Sequence, residues 1–101
     1  MLNSKQRAFL RKAAASKSPE LHIGKEEIKD EIFQELDNLL RTRELIKVSV
    51  LKSVELDVYE MAQHIATKVN ADVVQVIGRK FVLYRHSKEL AKKGKSIVLP
   101  K

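Results

Sequence analysis

The sequence predicts a domain of the α/β class. It is a two-layer α+β arrangement, α-β-α-β-α-β-β in order, on a four-stranded mixed sheet. Three observations predict it. Apolar residues recur at helical spacing in three segments, and four short segments alternate or run apolar. The last two of those short segments flank Gly78-Arg79-Lys80, a loop short enough for a hairpin. The 101 residues fit a single domain, 1–101, with a real but small core.

Each element has a local reason. Residues 4–16 are predicted helical: Asn3 or Ser4 can cap them, and Phe9, Leu10, Ala13 and Ala14 form a narrow apolar stripe. Pro19 breaks the chain after it, because proline disfavours helix in the preceding residue. Leu21-His22-Ile23 alternates and is ended by Gly24. Residues 27–42 are amphipathic, with Ile28, Ile32, Phe33, Leu36, Leu39 and Leu40 on one face. Acids Glu26, Glu27, Asp30 and Glu31 crowd its start and Arg41 and Arg43 its end, which suits the helix dipole. In 44–51, Ile46, Val48 and Val50 face one way and Lys47 and Ser49 the other. Asp57 can cap a helix over 58–69, with Val58, Met61, Ala62, Ile65, Ala66 and Val69 as its apolar face. Strands follow at 73–77 and 81–85. Each β-α-β crossover implies parallel neighbours, and the final pair is antiparallel. Residues 86–101 read as a polar, Lys-rich tail that could be flexible and in which Ser96–Leu99 could add an edge strand.

Composition narrows the function classes. Hydrophobic residues make up 44% in a periodic pattern, which argues against disorder. There is no cysteine, so neither a disulfide framework nor a thiolate metal site is possible. The longest apolar runs are a few residues, and residues 1–17 hold no signal-peptide core. The expectation is a cytoplasmic monomer without a membrane partner.

The net charge is +7, and it is segregated. Residues 1–17 carry five bases and no acid, 79–101 eight bases and one acid, and 18–78 seven bases against twelve acids. Such a split suits a face built for a polyanion; solvated lysine-rich ends are the plainer reading.

Catalytic signals are missing. His22, His64 and His86 form no zinc-ligand spacing, and there is no nucleophile elbow, Walker loop or GxGxxG. Glu27 and Glu31 are four apart and could hold a cation, but acids in a first helical turn ordinarily complement the dipole. Catalytic residues, metal, cofactor and small-molecule substrate are therefore all expected to be absent. An enzyme would require His22 or His64 to meet a nucleophile or a carboxylate pair in space. Helix-turn-helix docking is disfavoured because a strand separates each helix from the next. The first helix is also a weak membrane anchor, with only Phe9 and Leu10 as large insertable groups.

RNA suits the pattern better, because it is read through shape, phosphate and splayed bases. Gly24-Lys25 precedes a helix start, a ready anion site. Gly78, Arg79 and Lys80 put two long cations on a hairpin tip, although a plain turn glycine with a solvated loop would look the same. Lys5, Arg7, Arg11 and Lys12 project from the first helix. Helix, hairpin and tail are expected to form one patch. Tyr84 could stack a base or simply pack in the core.

VQVIGRKFVLYR at 74–85 resembles the C-terminal signature of the YhbY family, the stand-alone form of the CRM domain. ELIKV at 44–48, IGKEEIKDEIFQEL at 23–36 and LNSKQRAFLRKAA at 2–14 are similar to further segments of that family. The resemblance implies a fold like the C-terminal domain of translation initiation factor 3. It also implies RNA binding without catalysis, on ribosomal RNA in large-subunit precursors during ribosome assembly. Carried residue by residue, it implies RNA contact at Gly24, Lys25, Lys47, Gly78, Arg79, Lys80 and Arg85. The family's GxxG loop reads Gly24-Lys25-Glu26-Glu27 here. Glutamate takes φ > 0 less readily than glycine and repels phosphate, so contact is not carried to Glu26 or Glu27. The rival expectation is a protein-interaction module that docks its acidic middle on a ribosomal protein.

Overall fold

The computed structural model describes residues 2–27 and 29–101, without the Glu27 side chain. Ile28, expected on the second helix's apolar face, and the Glu27 carboxylate, weighed as a partner of Glu31, thus lie outside the described residues. The elements are α1 (Ser4–Ala14), β1 (Leu21–Ile23), a 3-10 turn (Lys25–Glu27), α2 (Asp30–Arg43), β2 (Leu45–Val50), α3 (Val58–Lys68), β3 (Asp72–Ile77), β4 (Lys80–Tyr84) and α4 (Lys88–Lys92).

Local chemistry sets the boundaries. Asn3 and Gln6 form a capping box at α1, each side chain accepting from the other's backbone N–H. Asp57 accepts from the N–H groups of Tyr59 and Glu60 and starts α3. Gly78 turns the hairpin at φ +56, a conformation that glycine adopts without a Cβ penalty.

The sheet is four-stranded and mixed, in the order β1-β2-β4-β3. β1 is parallel to β2, while β4 is antiparallel to both β2 and β3. The expectation that every crossover yields parallel neighbours fails for β2 and β3, because β4 lies between them. Burial explains the insertion. Phe81, Val82, Leu83 and Tyr84 are all buried, so this strand is apolar on both faces and belongs in the centre.

Alternation divides the core. Ile46, Val48, Val50, Phe81 and Leu83 face α2 and α3, where Leu36, Leu40, Ala62 and Ile65 complete the larger cluster. Leu45, Val74, Val82 and Tyr84 face the other way, and α1 covers them with Leu10 and Ala14. α2 and α3 thus cover one face of the sheet and α1 the other. Phe9 and Ala13, read as part of the α1 stripe, are exposed instead, so the stripe is narrower than its sequence. Tyr84 takes the core reading. Burial pushes its phenol above the ordinary value, and the Glu44 and Asp72 carboxylates add to that shift.

The C-terminal segment is anchored. Ser87 caps α4, and Arg41 on α2 pairs with Glu89 at 3.1 Å. Beyond Gly94, Ile97 and Leu99 pack on the second cluster, while Gln6 Nε2 donates to the Pro100 carbonyl at 3.1 Å. No strand forms over 96–99. The alternation there is real, but the backbone partners are side chains rather than a neighbouring strand. The central partner is the Glu44 carboxylate. It accepts from the N–H of Ser87 (2.7 Å), the N–H of Ile97 (2.6 Å) and the hydroxyl of Ser96 (2.7 Å).

Candidate functional site

On the α1 face, the last turn of the helix and the sheet beside it leave a groove of about 330 Å³. Arg11 and Ala15 line it from the helix side, Lys47 from β2, Gln75 and Ile77 from β3, and Lys80 and Val82 from β4. Strand alternation does this: Lys47 sits opposite Val82 in the register, and Lys80 is paired with Ser49 and Ile77. Three expected RNA-contact residues, Arg11, Lys47 and Lys80, thus come together from three elements. Lys47 is oriented by its own fold. Its ammonium donates to the Lys17 carbonyl at 2.9 Å, leaving two of its three donors. Its backbone N–H donates to Glu20, whose carboxylate pairs with Lys17 at 3.1 Å. Among the described residues, Arg11 and Lys80 enter no ion pair.

The other expected residues lie elsewhere. Lys5 and Lys12 are exposed on α1, outside the groove lining. Arg7 Nη1 donates to the Val73 carbonyl at 2.5 Å and pins α1 to β3. Arg79 turns inward. Its Nε donates to the Val50 carbonyl (3.2 Å), and its Nη2 donates to those of Leu51 (2.9 Å) and Val54 (2.5 Å). It therefore clamps the loop between β2 and α3 onto the hairpin. Lys25 reaches the same loop, lining a depression with Ser53 to Leu56, and Gly24 is buried beside it. The α2 start beyond them carries Asp30 and Glu31 in its first turn. Arg85 is an internal tie as well. Its Nη1 meets Asp37 at 2.6 Å and the Val69 carbonyl at 2.9 Å, and its Nη2 meets the Asp37 carbonyl at 3.1 Å. The tail supplies no residue to the groove. Glu44 and Arg41 hold it at the opposite end of the sheet from the hairpin tip, so the single patch expected of helix, hairpin and tail does not form.

Sequence reasoning passed over Gln75, Ile77, Ala15 and Val82. The one available signal was Gln75, a polar residue inside the apolar run of β3.

A second groove, about 380 Å³, lies between α2 and α3 on the far face. Ile32, Phe33, Leu56, Met61 and Ile65 give it an apolar wall, and Asp30, Asp57 and Glu60 a mainly acidic rim that also holds Lys29. His64 lies in it with its ring edge-on to Phe33, centroids 6.2 Å apart. His22 is exposed on β1. His86 approaches Ser96 Oγ (3.3 Å) and Glu44 (3.5 Å). That trio has the wrong order for nucleophilic catalysis, because the serine hydroxyl donates to the carboxylate directly. Among the described residues, no group of three or more His, Asp or Glu could hold a metal ion, and no helix is long and apolar enough to cross a membrane.

The fold and the groove define a small α+β domain with a cationic sheet face. The chain belongs to the CRS1 / YhbY (CRM) domain family, whose model matches residues 2–85. It is 39% identical to "Probable RNA-binding protein YqeI" of Bacillus subtilis over 100 residues, 99% of this chain and all of that one. A Methanocaldococcus jannaschii protein with the same description is 38% identical, over 96% of this chain and 76% of that one. An RNA-binding protein of Haemophilus influenzae is 33% identical, over 87% of this chain and 89% of that one. A solution structure of a candidate RNA-binding protein from Staphylococcus aureus superposes with a TM-score of 0.79 at 39% identity, covering 99% of this chain and all of that one. The family is one of RNA-binding domains rather than of enzymes.

Proposed function

We propose that this chain is a non-catalytic RNA-binding protein. It engages ribosomal RNA in large-subunit precursors in the cytoplasm, as a monomer, and assists ribosome assembly. The observation that carries RNA binding is the convergence of Arg11, Lys47 and Lys80 on one groove, in a chain whose relatives are described as RNA-binding. Lys47 and Lys80 stand on hydrogen-bonded strands, so meeting phosphate orders their side chains but not the backbone beneath them. Arg79 and Arg85 support that surface by locking loops and helices behind it. The ribosomal target rests on the family resemblance of the four sequence segments and on the net charge of +7.

Sedimentation tests the reading. In a lysate gradient the chain should migrate with particles near the large subunit at low salt and leave them as salt rises. The double variant Arg11→Glu, Lys80→Glu should stay at the top. The acidic-rimmed groove between α2 and α3 favours a second reading, docking on a basic protein without direct RNA contact. Co-migration that survives the double variant would establish that reading and sink the first.

A further inference from the structure

The cationic groove has an apolar floor, which a surface for phosphates alone does not need. Ala15 and Ile77 supply it, Ile77 being 62% exposed at the sheet edge, and the buried Val82 lies beneath them. Val82 is anchored from both sides, because β4 pairs with β2 and with β3. Gln75 lines the same groove and carries one amide acceptor and two donors. A cavity of about 150 Å³ already holds a benzene ring. The groove's 330 Å³ therefore has room for a planar base and part of its sugar.

A paired RNA helix would leave the floor unused. Its base faces are stacked inside, and phosphates, 2′-hydroxyls and base edges are what it presents to a protein. An unstacked nucleotide uses every part. Its base covers Ile77 and Ala15 above the buried Val82, its edge meets the Gln75 amide, and the flanking phosphates meet Arg11, Lys47 and Lys80. We infer that the groove is a pocket for an unpaired nucleotide, so that the RNA recognised is single-stranded at the point of contact. This inference rests on the RNA-binding reading above and narrows it to a class of RNA.

Fluorescence anisotropy on the full chain at one fixed salt concentration tests it. One probe is a labelled oligouridine of about 12 nucleotides, within the usual site size of single-strand binders. The other is a fully paired RNA duplex of the same length. The single strand should bind at least about tenfold more tightly than the duplex, as expected when burial of the aliphatic floor and an amide hydrogen bond add to phosphate contacts. Gln75→Ala with Ile77→Ser lies on a partly exposed edge strand, and its far-UV circular dichroism should match the parent. It should remove most of the single-strand preference. Equal or tighter duplex binding by the parent would overturn the inference while leaving RNA binding intact. So would a double variant that keeps the single-strand preference. Binding of neither probe would remove the RNA-binding reading and this inference with it.

Discussion

Glu44 sits at φ 65° and ψ −46° with its side chain fully buried. That backbone is sparsely populated for a non-glycine residue and costs on the order of 1–3 kcal/mol. Its carboxylate offsets the cost by accepting from Ile97, Ser87 and Ser96. Burial alone would raise its pKa. The Ile97, Ser87 and Ser96 hydrogen bonds and the charge of His86 outweigh burial, and the group lies below its ordinary 4.5. A depressed native pKa means that the ionised form favours folding. The contribution is therefore complete above the ordinary value and is lost as pH falls through the native one. Acid unfolding of Glu44→Gln should lack that component, read as a smaller loss of Tm below pH 4.5 than the parent shows. Glu44→Ala should lose about 3 kcal/mol in urea unfolding, because buried hydrogen-bonding partners are orphaned. Glu44→Gly should lose about 1 kcal/mol less, because glycine accepts positive φ. Equal losses would show that no strain is stored there. Arg79 and Lys80 make the complementary pair. Arg79→Lys keeps the charge but not the fork that spans Val50, Leu51 and Val54, so Tm should fall by several degrees, about what 1 kcal/mol does in a small domain. Lys80→Ala should hold Tm and weaken RNA binding. Nothing local in the sequence separates these two neighbours, because the carbonyls that claim Arg79 are supplied by a loop 25 to 29 residues away.

At the level of elements, periodicity was informative and adjacency was not. Leu21–Ile23 and the 45–50 strand follow from alternation, and α3 starts at the cap that Asp57 offers. The place of β4 between β2 and β3 depends on which strand buries both faces, a comparison across the whole sheet. The tail shows the same limit. Ile97 and Leu99 alternate as an edge strand would, yet their segment is held by Glu44 and Gln6. Those partners lie 53 and 94 residues away in the chain, so no local pattern announces them. The tail therefore acts as a structural strap in the folded domain. Removing residues 96–101 should uncover the Leu10, Leu45 and Tyr84 cluster and strip Glu44 of two donors. Two half-buried aliphatic side chains and the lost hydrogen bonds together suggest about 3 kcal/mol. Urea unfolding should show it as a lower midpoint. An unchanged midpoint would mean that the strap adds nothing to the folded state.

Across the whole molecule, charge along the chain maps only partly onto charge in space. The basic N-terminal segment supplies Arg11, the acidic middle supplies Lys47, and the basic C-terminal segment supplies Lys80. The middle also supplies the acidic rim of the groove on the opposite face. The sequence therefore shows that a cationic face exists but not which cations share it. The shared set determines the salt response. Three rim cations, or five if Lys5 and Lys12 also reach phosphate, give a log K against log salt slope of about −2 to −3.5 for a single strand. Lys80→Ala should reduce the slope by about 0.7, one phosphate's share. Gln75→Ala should leave the slope as it was, because an amide releases no counterion. A slope near zero would mean that the cations do not bind RNA at all. A slope well beyond −3.5 would mean that cations outside this set, such as the α4 lysines, also meet the backbone, and the footprint would then run around the sheet end to the tail.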